Sequence, residues 1–207
     1  EDEPVGGATQ VIDIVRDEVK LEEQAAKSEI IEVPADETGE NTVKIGIIDL
    51  PVFYLDFNGR AQNKPDYRSS TRDVRRLIGE LEEQGVTGIV IDLRNNPGGV
   101  LNSAVGVSDA FLVGGIIVYT KGRVEDSELE FKAGPDDVLK GAPIVVLVNG
   151  GSASASEIVA GALQDHGRSL IVGEPTFGKG TVQTVRPWQG SAGILEFFTA
   201  ARYYRPS

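Results

Sequence analysis

The chain contains no cysteine. That excludes a thiol nucleophile, a disulfide framework, a thiolate zinc site and an iron–sulfur cluster. Histidine occurs once, at His166, so neither a multi-histidine zinc site nor a His-Glu-x-x-His protease motif is available. Methionine is missing altogether, even at position 1, where the chain opens Glu1-Asp2-Glu3. No apolar run approaches the ~18 residues a membrane-spanning helix needs. Positive charge is scarce as well: 20 Lys and Arg stand against 32 Asp and Glu, a formal charge of −12. That excess disfavours nucleic acid bound through its phosphates, and anionic membrane surfaces for the same reason. What remains, 207 residues at 40% hydrophobic content, suffices for one ample domain or one domain plus part of another.

Residues 1–42 are acidic and weakly patterned. Val11 to Val15 suggests a helical turn, and Ile30 to Val33 a short strand closed by Pro34. From residue 43 the pattern sharpens. Val43–Leu50, Gly88–Leu93 and Ile144–Val148 read as strands, the last two apolar enough to be buried on both faces. Ile116–Thr120 and Leu170–Val172 add shorter ones. Thr71–Gln84 has helical spacing, with Val74, Leu77, Ile78 and Leu81 on one side, and Leu101–Phe111 and Ser154–Leu163 also read as helices. Thr181–Arg186 and Ile194–Ala200 are strands with no helix between them. The alternation predicts an α/β fold: a mostly parallel sheet covered by helices, with an antiparallel addition at the end.

Three glycine-bearing loops follow strands: Asp92 to Gly99, Asn149 to Glu157, and Gly173 to Thr181. Ligands of open α/β sheets collect at loops beyond the carboxyl ends of strands, so the three are placed to converge. The second loop offers Ser152, Ser154 and Ser156. Ser154 precedes Glu157 by three residues, which makes it a candidate helix cap. Equally, a serine at a helix N-terminus has amides and the helix dipole to stabilise developing negative charge. A serine nucleophile needs a base. His166 lies 12 residues further along. If one helix joins them, that is roughly 18 Å. The same distance argues against direct contact between Ser154 and Asp165, so His166 reads as a helix C-terminal residue. Lys179, in Gly178-Lys-Gly180, has room to return to Ser154. A lysine acts as a base only when neutral, a state favoured by burial without a carboxylate partner. The run Gly173-x-x-x-x-Gly178-Lys179 matches most of a phosphate-binding loop, but Gly180 replaces the required Ser or Thr and a strand follows where a helix should. Gly98 or Gly99, with the amide of Ala155, could form an oxyanion hole.

Together the segments IDLRNNPGG (91–99), VNGGSASASEI (148–158), ALQDHGR (162–168) and VGEPTFGKGTVQ (172–183) resemble the tail-specific or C-terminal processing proteases. These are serine endopeptidases with a Ser-Lys pair on a crotonase-like fold, and the 25 residues from Ser154 to Lys179 fit their spacing. The resemblance implies Ser154 as nucleophile, Lys179 as general base and Gln183 as support for the lysine. It further implies Gly98 or Gly99 and Ala155 at the oxyanion, with Asp165, Glu157 and Arg94 as supporting residues. Asp165 is expected to be structural. The implied organisation is a PDZ-domain remnant over 1–18, a linking segment over 19–42, and a protease core over 43–207 that lacks the family's closing segment. The implied substrates are unfolded or tagged proteins with apolar C-termini. No metal or cofactor is implied, and the location is the envelope side of a bacterium, such as the periplasm. Two other classes use the same features differently: a non-catalytic peptide-binding module with Ser154 as a mere cap, and a crotonase-like acyl-CoA enzyme without a Ser-Lys pair.

Overall fold

Apolar periodicity decides most of the elements. In chain order they are β1 (Lys27–Pro34), β2 (Thr42–Asp49), α1 (Phe57–Ala61), α2 (Ser70–Glu83), β3 (Gly88–Asp92), α3 (Leu101–Asp109), β4 (Ile116–Gly122), β5 (Leu129–Lys132), β6 (Ile144–Val148), α4 (Ala155–Asp165), β7 (Leu170–Gly173), β8 (Thr181–Pro187) and β9 (Leu195–Tyr204). This computed structural model describes residues 24–122, 128–187 and 195–206. The expected helix turn near Val11 and the expected PDZ remnant over 1–18 lie outside the described residues. No helix among the described residues is long and apolar enough to cross a membrane.

The first sheet has the order β1-β2-β3-β6-β7. Strands β2, β3, β6 and β7 run parallel, and β1 joins antiparallel at the edge. Their carboxyl ends therefore lie on one side, which brings together the loops after β2, β3, β6 and β7. α2 starts at Ser69, whose hydroxyl accepts from the Arg72 amide, and buries Val74, Leu77, Ile78 and Leu81. Those four are the residues its spacing predicts. α3 packs between α2 and α4, and α4 touches both β7 and β4.

The structure corrects two parts of the sequence reading. β4 does not extend the parallel sheet. It belongs to a separate antiparallel sheet of order β5-β4-β9-β8. Strand-helix alternation identifies a strand without fixing its partner: here Gly114 and Gly115, both at positive φ, turn the chain so that β4 lies against α4 instead. The segment read as linker is also partly core. Lys27–Pro34 pairs with β2 along its whole length, from Lys27 opposite Asp49 to Pro34 opposite Thr42. Its weak pattern is that of an edge strand, largely exposed and studded with charge.

Ahead of β1, Ala25 and Ala26 are buried. The Ala26 amide donates to Tyr54 Oη at 3.0 Å, and the Tyr54 hydroxyl donates to Asp73 Oδ2 at 2.6 Å. Asp73 also accepts from Arg68 Nε at 3.0 Å. Burial, and then the bond to Asp73, push the Tyr54 phenol from 10 up to about 12. Below pH 10 the phenol is neutral whether the chain is folded or not. Between pH 10 and 12 the unfolded chain ionises first, so stability falls over that window. The loss attributable to Tyr54 is roughly 2 kcal/mol. Urea unfolding at stepped pH should show this fall in the parent chain and a shallower one in Tyr54→Phe.

Candidate active site

The loop after β6 carries three hydroxyls, and the structure treats them differently. Ser152 Oγ donates to Leu93 O at 2.7 Å, and Ser156 Oγ donates to Asn96 O at 2.9 Å. Both side chains are fully buried and serve to fasten this loop to the one after β3. Ser154, between them, faces a cleft of about 320 Å³ that Lys179 also lines. Its backbone is held at φ +56, ψ −110, a conformation that serine rarely adopts. The result is a sharp strand-to-helix turn at which Ser154 and Glu157 form a capping box, the serine side chain meeting the Glu157 amide and the Glu157 carboxylate the Ser154 amide, so Ser154 both caps α4 and lines the cleft.

The loop after β3 sets the floor of the cleft. Asn96, fully buried, donates from Nδ2 to Leu50 O at 2.6 Å, while its Oδ1 accepts from the Gly98 amide at 2.8 Å. Its carbonyl accepts from the Ala153 amide at 3.0 Å. One asparagine thus ties the loops after β2, β3 and β6 together. Gly98 and Gly99 sit at φ +105 and +138. A Cβ on Gly98 would stand 2.8 Å from Ser154 Cβ and 3.0 Å from the Ala155 amide nitrogen, so only glycine permits this approach. The Gly98 amide is already committed to Asn96. Among the described residues, the Gly99 amide has no internal acceptor, and the Ala155 amide opens α4 with none. Of the two glycines considered for an oxyanion hole, the free donor is therefore on Gly99.

The loop after β7 delivers Lys179. Its Nζ donates to Gln183 Oε1 at 3.1 Å and makes no ion pair among the described residues. Gln183 stands on β8, beside a register shift between β8 and β9 at Val182/Gln183. Such irregularities re-aim side chains beside functional sites. Among the described residues no hydrogen bond joins Ser154 Oγ to Lys179 Nζ in this state, although both line the same cleft.

Glu157 ties the two loops together. Its Oε2 accepts from the Ser154 amide at 2.7 Å and the Lys179 amide at 3.0 Å, and its Oε1 from the Gly178 amide at 2.6 Å and the Thr176 hydroxyl at 2.9 Å. Burial raises the Glu157 carboxyl pKa, but these donated bonds outweigh it and hold the group below the usual carboxylate range. Glu157 thus binds the backbone of the lysine loop and leaves the amine alone.

Two of the expected supporting residues lie elsewhere. Arg94 pairs with Asp92, Nε to Oδ1 at 2.9 Å, on the solvent side and outside the cleft. Asp165 is at the opposite end of α4 from Ser154, where it pairs with Arg205 Nε at 3.0 Å. His166 caps α4, its Nε2 paired with Ile116 O at 2.8 Å. Sequence reading missed Asn96, Thr176 and Tyr203, which all contact the site loops. Asn96 left a faint signal, a polar residue ahead of Pro-Gly-Gly. Tyr203 left none, because its position depends on pairing between distant strands. Among the described residues no three His, Cys, Asp or Glu side chains converge to hold a metal ion.

Residues 44–207 match Peptidase family S41. The chain belongs to that family. Its S41 portion therefore includes all three loops of the cleft, and S41 members are serine peptidases. The chain is 49% identical over 142 residues to the carboxy-terminal-processing protease of Bartonella bacilliformis, covering 69% of this chain and 32% of that protein. It is 37% identical over 211 residues to the tail-specific protease of Haemophilus influenzae, covering 97% of this chain and 27% of that one. It thus spans about a third or less of these relatives. A solved photosystem II D1 C-terminal processing protease superposes with a TM-score of 0.67 at 33% identity, over 87% of this chain and 44% of the other. The mixed α/β architecture is that of S41 protease folds.

Proposed function

We propose that this chain carries the catalytic centre of a C-terminal processing endopeptidase working through a Ser154–Lys179 pair. One observation carries the reading. Of three neighbouring serines, two are buried in structural bonds, while Ser154 is strained into a cleft shared with Lys179 and flanked by two unpaired amides. A peptide carbonyl lies over Ser154. Neutral Lys179, oriented by Gln183, takes the hydroxyl proton as Oγ attacks. The oxyanion rests between the Gly99 and Ala155 amides, an arrangement worth about 10²–10³ in rate per donor. Lys179 then protonates the leaving amine, and water releases the acyl group from Ser154. No resident metal or cofactor takes part in this scheme.

The core on which this happens is crotonase-like, comprising 43–207 together with the edge strand Lys27–Pro34 that pairs with β2. Substrates are unfolded or tagged proteins presenting apolar C-terminal regions, as the apolar wall of the cleft at Leu101 and Ile158 suits. The family resemblance supports action on the envelope side of a bacterium, in the periplasm. The test compares an unfolded reporter ending in an apolar tail with the same reporter ending in an acidic tail. Fragments mapped by mass spectrometry should arise from the first at least ~10-fold faster. Tight binding of the apolar tail with no fragment formed would replace this reading with that of a peptide-binding module.

A further inference from the structure

Tyr203 is a half-buried phenol that the scheme above leaves unused. It stands on β9, opposite Thr120 of β4, and so belongs to the second sheet, whereas the serine and lysine loops lie at the end of the first. Its hydroxyl donates to Glu157 Oε2 at 3.2 Å. That same oxygen accepts the amides of Ser154 and Lys179. Its own amide donates to Gly180 O at 3.2 Å, the residue after the lysine. Its side chain lines the cleft beside Lys179 and Gln183. Tyr203 therefore grips the lysine loop twice, once through backbone and once through the carboxylate that joins base to nucleophile.

We propose that Tyr203 is a positioning residue that sets the Lys179 loop against the Ser154 turn by way of Glu157. The proposal rests on the Ser-Lys reading for its catalytic consequence, but not for its geometry. The hydroxyl is bonded to Glu157, so it acts through that group and is not itself a catalytic residue. It is suited to the task because it is neutral. Among the described residues every donor to Glu157 is an amide or a hydroxyl, so the carboxylate is held without a second cation beside Lys179. Burial, followed by the charge of Glu157, drives the phenol well above its ordinary value, which keeps the proton on oxygen.

The test is Tyr203→Phe in the intact protein, which removes the hydroxyl and keeps the ring as cleft wall. Amide hydrogen exchange and steady-state kinetics are measured together, with Tyr204→Phe as control. Tyr204 stacks on Tyr119 at 5.3 Å and is expected to behave as wild type. In Tyr203→Phe the Gly178 and Lys179 amides should exchange about 10-fold faster, while core amides of α2 keep their protection. The value of kcat should fall about 10-fold with KM within twofold, since a misplaced base harms the transition state and not substrate binding. Unchanged exchange at Gly178 and Lys179 would overturn the proposal. So would a raised KM at constant kcat, which marks a wall residue only, or loss of protection across α2, which marks a general structural role. Failure of the Ser-Lys reading would surface separately, as a Ser154→Ala variant that still cleaves, while the exchange data would continue to report on the tether.

Discussion

Replacing Ser154 by alanine, or Lys179 by alanine, is expected to lower kcat/KM by at least ~10³-fold while leaving the fold intact. The double variant should be no worse than either single one, because nucleophile and base act as a unit and removing one idles the other. Lys179→Arg should be as inactive as Lys179→Ala. A guanidinium keeps its proton and cannot accept the one from Ser154. Stability should barely change in the lysine variants, since among the described residues the partner of Nζ is the exposed Gln183. Initial rates on a fluorogenic peptide with an apolar end, paired with thermal unfolding of each variant, measure both quantities. A Ser154→Ala variant that retains wild-type rates would place the nucleophile elsewhere.

The second large effect is expected from a single methyl group. Gly98→Ala adds a Cβ that would stand 2.8 Å from Ala153 O, 2.8 Å from Ser154 Cβ and 3.0 Å from the Ala155 nitrogen, all at a φ of +105. Two of those atoms are backbone and none is the far end of a flexible side chain, so the Ser154 turn itself must shift. The strained φ alone costs about 1–3 kcal/mol. Displacing the Ala155 amide from the oxyanion should take a further ~10²-fold from kcat. Gly39→Ala is the matched control. Its φ is also positive, at +71, but nothing lies within 4 Å of the added carbon. It should lose some stability and no activity. Chemical denaturation and kcat for the two variants, measured side by side, separate backbone strain from damage to the site.

The contrast between these glycines shows what was legible in the sequence. Gly98 stands in Pro97-Gly98-Gly99 directly after a buried strand, and the parallel sheet puts such a loop at the carboxyl end with its two counterparts. Convergence of the three loops could thus be read from β3, β6 and their apolar composition. Ile144–Val148 lies where its unbroken apolar run predicts, and α2 buries the four residues its spacing selects. What could not be read is pairing. β4 has the composition of any buried strand, and nothing local tells it to join β9 in place of β3. β5, Leu-Glu-Phe-Lys, is short and mostly exposed, so it carries no usable pattern. β1 hides among charges because an edge strand has one partner and little to bury.

Within the site the same limit applies. Ser152, Ser154 and Ser156 are equivalent as letters, and only tertiary bonds to Leu93 and Asn96 distinguish them. Arg94 belongs to the loop after β3 but turns outward to Asp92. Tyr203 is 46 residues from Glu157 and meets it only because β9 crosses between β4 and β8.

The most direct measurement is to expose the protein to a peptidyl phosphonate diphenyl ester carrying apolar side chains, from which serine attack at phosphorus expels phenol, and to locate the adduct by mass spectrometry. The account predicts one phosphonyl group, on the peptide that contains Ser154. Labelling should be absent in Ser154→Ala and slowed at least ~10²-fold in Lys179→Ala. An adduct on another residue, or undiminished labelling without Lys179, would contradict it.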